Sequence, residues 1–302
     1  MKAAPFAYAR PGTVDAAVAE LARAGGDGKV LAGGQSLVPV LAMRLARPSV
    51  LVDINQVAGL DELSLDGGDG DGDEGGRGGE GHQGGTLYVG ATVRQRRVEH
   101  DQRATAVPLL GLALPWVGHR ELRSRGTVCG SLAHADPAAE LPAVAACLDA
   151  TFEVAGSSGR RTVAAGDFFA GAMTTALGPD EVLTAVRFPV AGPGEGFGFA
   201  EFARRHGDFA LAGVAVRVRR SPRRAVLAAF GVSDRPVVRD VTTLLDGSLE
   251  ENQLAGLAEE IVDTGGDGHA STGYRRRLFA ALAAQELATA RSQAEGSDDD
   301  RD

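Results

Sequence analysis

A double glycine between an apolar strand and the start of a helix constrains this chain more than any other stretch. Residues 29–39 read KVLAGGQSLVP, with Gly33 and Gly34 followed by the polar pair Gln35 and Ser36. Glycines let another molecule approach bare backbone, and the polar side chains and following amides add hydrogen-bond donors. Such a turn can hold a pyrophosphate, although an ordinary strand-to-helix turn has the same appearance. The stretch has neither the G-x-G-x-x-G spacing of a dinucleotide turn nor the Lys-Ser/Thr of a P-loop.

Length, charge and cysteine content narrow the function classes. The 302 residues, 44% of them hydrophobic, are enough for a sizeable core and for two or three domains. The net charge of -9 disfavours a nucleic-acid partner, which a basic surface would attract. No apolar run has the length of a membrane span, so we expect a cytoplasmic protein with no integral membrane segment. Two cysteines, Cys129 and Cys147, are too few for a four-cysteine iron–sulfur cluster or a cysteine-rich zinc site.

The first part of the chain is predicted to alternate helices and strands. Thr13 is a good N-cap for a first helix, and a second helix is expected over 37–45. Strands over 29–32 and 49–54 flank the second helix, an order typical of parallel strands joined by a helix. Residues 66–85 are rich in Gly and Asp, and we interpret them as a flexible loop between two paired strands rather than as a calcium loop.

A second turn of small residues occurs within RGTVCGSLAHADPAAELP at 125–142. Gly130 permits close backbone approach, and Thr127 and Ser131 offer hydroxyls. Glu140 either complements the dipole of the following helix or accepts a hydrogen bond from a ribose hydroxyl, and the residues alone leave both open. One long anionic ligand, bound by the amides of both turns, would explain the two turns together.

Several residues near the second turn have a structural interpretation. Asp136 before Pro137 predicts the N-cap and first residue of a helix. Trp116, on a helix expected over 109–122, is predicted to be a core anchor rather than a ligand-stacking group. Cys129 and His134 have no third metal ligand nearby, and no group orients the histidine for nucleophilic catalysis.

The last third of the chain has the pattern of a separate domain. Three antiparallel strands are expected over 197–203, 211–219 and 225–232, and two helices over 254–262 and 272–290. Arg275 to Arg277 begin the last helix, where we expect a solvated face or, as the alternative, a contact to another subunit. A disordered tail is expected over 291–302.

Four motifs together resemble one family. They are AGGQSLVP at 32–39, RGTVCGSLAHADPAAELPAV at 125–144, RRHGDFALAG at 204–213 and STGYRRRL at 271–278. In this order they make the chain resemble the FAD-binding medium subunit of molybdenum hydroxylases, the family of carbon monoxide dehydrogenase and xanthine dehydrogenase. The resemblance implies an α+β fold: a two-lobed FAD-binding domain, with a small α/β N-terminal lobe and a larger α/β lobe, then a C-terminal domain with a three-stranded antiparallel sheet and helices. The implied boundaries are 1–58, 59–190 and 191–290.

The resemblance also implies the cofactor and its contacts. FAD is expected to lie on both turns, with Glu140 at the adenosine half and Leu183 on the isoalloxazine. No catalytic residue and no metal ligand is expected on this chain. The implied FAD contacts are Leu31, Ala32, Gly33, Gly34, Gln35, Ser36, Leu37, Val117, Gly118, Thr127, Val128, Cys129, Gly130, Ser131, Glu140 and Leu183.

For function, the resemblance implies a FAD-carrying electron-transfer subunit that is not active alone on substrate. Electrons would pass from a molybdenum-cofactor large subunit through a [2Fe-2S] small subunit to FAD and on to an external acceptor, within a dimer of heterotrimers. The alternative is a stand-alone FAD-dependent oxidoreductase of the same two-lobed fold, which would need a general acid or base beside the flavin. A third class is a non-enzymatic nucleotide-binding or assembly module, which would be colourless when purified. The substrate and the acceptor are not specified by these residues.

Overall fold

Three main sheets follow one another along the chain. The computed structural model describes residues 2–67, 84–247 and 251–296. Within these ranges the sheets have three, five and four strands, and a two-stranded ribbon accompanies them. The expected α+β class is confirmed.

The fourteen strands of the described ranges are β1 Ala7–Ala9, β2 Gly28–Leu31, β3 Val50–Asp53, β4 Leu63–Asp66, β5 Thr86–Gly90, β6 Thr151–Gly156, β7 Gly159–Ala164, β8 Phe169–Gly171, β9 Thr174–Thr175, β10 Val182–Pro189, β11 Glu195–Ala203, β12 Ala210–Arg219, β13 Arg224–Phe230 and β14 Val237–Asp240. The α-helices are α1 Val14–Arg23, α2 Leu37–Ala42, α3 Gln95–His100, α4 Pro108–Ala113, α5 Arg120–Arg125, α6 Val128–His134, α7 Glu140–Cys147, α8 Ala165–Phe168, α9 Glu251–Ile261 and α10 Thr272–Gly296.

The first lobe is a parallel sheet in the order β1-β3-β2. Thr13 caps α1 as predicted, because its hydroxyl accepts from the Ala16 N–H at 3.2 Å. The parallel neighbours β2 and β3, joined by α2, confirm the predicted strand–helix–strand order. The short edge strand β1 was not predicted, since its mostly exposed residues give no hydrophobic pattern.

The second lobe is built on the five-stranded sheet β4-β5-β10-β6-β7. Its strands β4 and β5 pair antiparallel, with Leu65 opposite Leu87, which confirms the predicted pairing on either side of the Gly/Asp-rich segment. Residues 68–83, which make up most of that segment, lie outside the described residues. The predicted loop character of the segment therefore stays a prediction.

The predicted helix over 109–122 is wrong as a single element. The chain forms α4, a 3₁₀ turn over 114–116 and then α5. Gly118, with φ +51°, lies between the last two and gives the backbone a left-handed conformation that ends the turn. Trp116 is 36% exposed and its ring centroid lies 6.0 Å from that of His206, so its prediction as a core anchor is also wrong.

Helix α7 begins later than predicted. The Asp136 side chain accepts from the Ala138 N–H at 2.9 Å, and the Ala139 N–H donates to the Asp136 carbonyl at 3.0 Å. These bonds close a separate turn, so Asp136 caps that turn and Ala139 occupies the N-cap of α7. Glu140 is consequently the first residue of α7.

The C-terminal sheet has four strands, in the order β11-β12-β13-β14, where three were predicted. Strand β14 was missed because it is short and its residues are exposed or only half-buried. Helix α10 packs across β11 at Gly196 and Gly198, where a side chain would collide with the helix backbone. The helix continues to Gly296 and buries Ala294, so the predicted disorder is wrong for residues 291–296, while 297–302 lie outside the described residues.

Arg275 does not belong to a solvated face. Its side chain is buried and donates to the carbonyl oxygens of Leu211 and Gly231, and it forms an ion pair with Asp267 at 2.7 Å. It therefore ties α10 to the ends of two strands. A buried arginine whose two terminal nitrogens are bonded within the fold is a structural feature that a run of three arginines does not reveal.

The buried apolar side chains of the described residues form two hydrophobic cores. The larger spans both N-terminal lobes and includes Phe197, Phe199 and Phe230 of the C-terminal sheet. The smaller lies between the opposite face of that sheet and the helices α9 and α10. The C-terminal sheet is thus packed on both faces, one of them against the N-terminal lobes. Across the described ranges, none of the helices is both long and apolar enough to cross a membrane.

Candidate functional site

A cleft of about 830 Å³ lies between the two glycine turns. We call residues 32–36 the first turn and residues 126–131 the second turn. All predicted FAD contacts line the cleft except two. Leu31 is the half-buried last residue of β2, and Val128 is fully buried in the larger core, so neither side chain lines the cleft. The predicted contacts on the cleft wall are Ala32, Gly33, Gly34, Gln35, Ser36, Leu37, Val117, Gly118, Thr127, Cys129, Gly130, Ser131, Glu140 and Leu183.

The first turn presents unused backbone donors. Gly34 has φ +74°, a conformation that other residues rarely adopt, and the Gln35 side chain donates to the Gly33 carbonyl at 3.1 Å. The N–H groups of residues 33–36 donate to no acceptor in the described part of the chain. Because backbone donors at such a site need partners, a row of four unused N–H groups on a cleft wall suits an anionic ligand.

The two turns touch each other directly at Gly33. A Cβ atom at this position would lie 2.6 Å from the Arg125 carbonyl oxygen, 2.8 Å from Gly126 Cα and 3.1 Å from the Thr127 nitrogen. Only glycine fits this contact without moving backbone. The sequence could indicate that the two turns share a ligand, but not that they are in contact.

The second turn differs from the amide-lined cradle that was predicted. Its N–H groups mostly have internal partners: Gly130 donates to the Thr127 hydroxyl at 2.9 Å, Val128 to the Val93 carbonyl and Ser131 to the Thr127 carbonyl, both at 3.2 Å. Thr127 is therefore the N-cap of α6. This turn can offer a ligand the Ser131 hydroxyl and close approach at Gly130, whereas the first turn offers amides.

Two buried acidic side chains interact electrostatically, Glu140 on the cleft wall and Glu201 on β11 of the C-terminal sheet. Burial raises the pKa of Glu140 to about 7, and the nearby Asp136 carboxylate adds to this effect. Burial raises the pKa of Glu201, on β11, to about 8, and the charge of Glu140 contributes. Neither carboxylate oxygen of Glu201 has a hydrogen-bond partner among the described residues. Glu201 was not predicted, because a glutamate within a strand gives no signal of its burial.

The remaining walls combine predicted and unpredicted residues. Leu183, on β10, is 5% exposed and presents an apolar surface. The carbonyl groups of Val117 and Gly118 accept from Arg123 at 3.2 and 3.1 Å, and Arg123 is paired with Glu99 at 2.9 Å, which fixes this loop. The wall residues without a site prediction include some from the ribbon and its connecting turn and some from the RRHGDFALAG motif: Met173, Thr174, Thr175, Gly207, Asp208 and Phe209.

Asn55 and Arg94 are further residues that the sequence did not reveal. Asn55 donates to the Ala32 carbonyl of the first turn, Arg94 donates to the Arg125 carbonyl just before the second turn, and the two side chains bond to each other. The two hydrogen-bonded residues are 39 positions apart in the sequence. No local pattern could pair them.

Cys129 has no reactive character. Its thiol is buried and donates to the Val89 carbonyl at 3.4 Å, and burial raises its pKa. In the ranges that the structure covers, no group of three or more His, Cys, Asp or Glu side chains could hold a metal ion.

The donor set of the cleft fits a flavin dinucleotide. Four unused amides suit a pyrophosphate, Glu140 suits a ribose hydroxyl, and the apolar wall at Leu183 and Val117 suits a ring system. The length of the cleft, from the first turn to the C-terminal domain, requires an extended ligand to fill it.

Comparisons with known proteins agree with this fit. A family model described as the FAD binding domain in molybdopterin dehydrogenase matches residues 4–191. Caffeine dehydrogenase subunit beta of Pseudomonas sp. (strain CBB1) is 34% identical over 96% of this chain and 96% of its own. The carbon monoxide dehydrogenase medium chain of Afipia carboxidovorans is 32% identical over 96% of this chain and 98% of its own. In quinoline 2-oxidoreductase from Pseudomonas putida 86, a solved chain with 35% identity matches with a TM-score of 0.83, over 97% of this chain and 99% of that one.

The family match covers more than half of the chain, and the relatives cover nearly all of it. FAD is accordingly the cofactor of this fold, and the relatives are named as subunits of oxidoreductase complexes. The chain belongs to the family of FAD-binding medium subunits of molybdenum hydroxylases.

Proposed function

We propose that this chain is the electron-transfer subunit of a molybdenum hydroxylase complex and carries FAD in the cleft between the two turns. Electrons would come from [2Fe-2S] clusters on a small subunit, which receives them from a molybdenum-cofactor large subunit, and would leave to an external acceptor. The single observation that carries the proposal is the row of unused amides at residues 33–36, which line the cleft, in a chain of this family. When bound, FAD supplies the redox chemistry, and the protein holds and tunes it.

The roles of this chain's residues follow from their chemistry. The amides of residues 33–36 bind the pyrophosphate, and Glu140 accepts a hydrogen bond from a ribose hydroxyl. Leu183 packs against the ring system and keeps water from it. We propose as FAD contacts the fourteen cleft-lining residues named above, and we propose domain boundaries at 1–58, 59–190 and 191–290.

Purification of the native complex through this chain tests the proposal. We expect one FAD per chain, together with iron, molybdenum and two further subunits, in a dimer of heterotrimers. The complex should oxidise its substrate and reduce an acceptor, whereas the isolated chain should bind FAD without oxidising substrate. In cofactor-free buffer, a complex depleted of FAD should still reduce its iron–sulfur clusters with substrate but should lose acceptor reduction.

Two outcomes would contradict the proposal. Substrate turnover by the isolated chain would favour a stand-alone FAD-dependent oxidoreductase. A colourless chain that stays free of FAD in the presence of excess cofactor would favour a nucleotide-binding or assembly module.

A further inference from the structure

A continuous hydrogen-bonded bridge links the Ala32 carbonyl of the first turn with the Arg125 carbonyl that precedes the second turn. The Asn55 side-chain amide donates to the Ala32 carbonyl at 2.8 Å. The Arg94 guanidinium donates to the Asn55 side-chain oxygen at 2.7 Å and to the Arg125 carbonyl at 2.6 Å. Asn55 follows β3 of the first lobe and Arg94 precedes α3 of the second, so the bridge joins the two lobes.

Asn55 is held in one orientation. Its backbone N–H and its side-chain nitrogen donate to the Asp53 carboxylate at 2.9 and 2.6 Å, and the Tyr8 hydroxyl donates to the same carboxylate. Although burial opposes ionisation of Asp53, the hydrogen bonds from Tyr8 and Asn55 outweigh it and lower the pKa of this carboxyl. An ionised Asp53 fixes the nitrogen of the amide toward itself and the oxygen toward Arg94.

The bridge also orients a donor of the first turn. In a planar trans peptide the carbonyl and the N–H point in opposite directions. A carbonyl of Ala32 that is bound to Asn55 therefore directs the N–H of Gly33 away from Asn55. That N–H has no acceptor within the described residues, and Gly33 lines the cleft.

The bridge and the close contact at Gly33 both restrict the distance between the two turns. Gly33 lies against Arg125 and Gly126 with no room for a side chain, so the turns cannot move closer. The bridge through Asn55 and Arg94 prevents them from moving apart. Together they fix the separation of the two turns in the free protein.

We propose that Asn55 and Arg94 are positioning residues that hold both turns in the FAD-binding arrangement before the cofactor binds. This inference rests on the proposed FAD site, since it concerns the same cleft. Because preorganised donors bind without the cost of ordering, loss of the bridge should weaken FAD binding rather than abolish folding.

The test uses the full 302-residue chain, stripped of FAD and titrated with FAD while flavin fluorescence is recorded. Arg94→Lys keeps the charge, but a single ammonium group cannot reproduce the guanidinium fork that bonds both Asn55 and the Arg125 carbonyl. We expect it to raise the Kd for FAD about tenfold, the effect typical of losing one hydrogen bond to a charged group. Asn55→Ala should raise the Kd for FAD at least as much. Because the two substitutions break the same bridge, the Kd of the double variant should be no higher than that of the single variant that binds FAD more weakly.

Arg97→Lys is the matched control. Arg97 lies in α3, the helix that Arg94 precedes, and donates to the Asp61 carbonyl at 2.7 Å, outside the cleft. We expect Arg97→Lys to bind FAD with wild-type affinity. We also expect the FAD-free Arg94→Lys chain to have a thermal midpoint within a few degrees of the wild type, which would show that it folds.

Three results would overturn the positioning role. They are an unchanged Kd in Arg94→Lys, additive losses in the double variant, or an equal loss in Arg97→Lys. If Asn55→Ala does not fold, the comparison of the two lysine variants still decides. A wild-type chain that binds no FAD would instead contradict the proposed function, so the two failures are distinguishable.

Discussion

At the scale of single residues, Gly33 has the most demanding environment of the cleft. A methyl group there would lie within 3.1 Å of three backbone atoms, the Arg125 carbonyl oxygen and one atom each of Gly126 and Thr127. We predict that Gly33→Ala separates the turns and raises the Kd for FAD at least about tenfold, because two sets of donors no longer meet one ligand. Titration of the full chain with FAD measures this effect.

Gly111→Ala is the control for that substitution. Gly111 lies in α4, and a Cβ atom there would meet nothing within 4 Å. Alanine should therefore leave FAD binding unchanged and stabilise the helix slightly, by about 0.5–1 kcal/mol. Normal FAD binding by Gly33→Ala would show that the contact between the turns is not needed.

Glu201 provides a pH-dependent prediction. An unfolded glutamate ionises near pH 4.5, whereas folding raises the pKa of Glu201 to about 8. The folded state thus holds the extra proton between these values, and its stability decreases as the pH rises from 4.5 toward 8. Glu201→Gln should remove this penalty, so the variant should unfold like the wild type near pH 4.5 and at higher temperature than the wild type at pH 8.5.

At pH 8.5 the free energy of unfolding of Glu201→Gln should exceed that of the wild type by a few kcal/mol, since each unit of pKa shift corresponds to about 1.4 kcal/mol. Thermal unfolding across this pH range measures it. Glu121→Gln, at an exposed position of α5, should follow the wild-type profile. If Glu201→Gln and the wild type lose stability in parallel as the pH rises, the buried carboxyl is not the cause.

The sequence allowed prediction of a site residue only where the role of that residue depends on its neighbours in the chain. Gly33, Gly34, Thr127 and Glu140 stand out because glycine pairs, caps and acidic residues at helix starts have distinctive patterns. Asn55, Arg94 and Glu201 could not be found, since their importance arises from contacts between distant segments.

At the scale of secondary-structure elements, Thr127 connects the start of α6 with the second turn. Its hydroxyl accepts from the Gly130 N–H, and the side chain is 2% exposed. We predict that Thr127→Val lowers the free energy of unfolding by about 1–2 kcal/mol, because the Gly130 N–H at the start of α6 loses its acceptor. Urea denaturation measures the loss, and Thr127→Ser, which keeps the hydroxyl, should recover most of it. Equal destabilisation by both substitutions would show that packing of the methyl group, and not the cap, is responsible.

The elements that sequence predicted well have strong periodic patterns, and the errors have physical causes. Helix α1 and strands β12 and β13 were found because their apolar positions repeat with a clear period. The break between α4 and α5 was missed because the apolar residues continue up to Gly118, whose left-handed conformation is decided by its tertiary setting. Helix α10 extends beyond its predicted end because Ala294 is buried by packing on β11.

At the scale of the whole molecule, the cleft is enclosed by all three parts of the chain. Its walls include the first turn, the second turn and residues 207–209 of the C-terminal domain. A ligand in such a cleft binds the folded state and not the unfolded chain, so it stabilises the whole fold. We predict that FAD at about one hundred times its Kd raises the stability by about 2.7 kcal/mol and the thermal midpoint by several degrees. A midpoint that does not change with FAD concentration would contradict a site shared by the three parts.

The central claim is that one FAD lies across the two turns, and a crystal structure of the FAD-loaded chain tests it most directly. The predicted result is one FAD per chain, with pyrophosphate oxygens within hydrogen-bond distance of the amides of residues 33–36 and with Ser131 beside the cofactor. FAD bound outside this cleft, or a pyrophosphate that does not contact the first turn, would contradict the account.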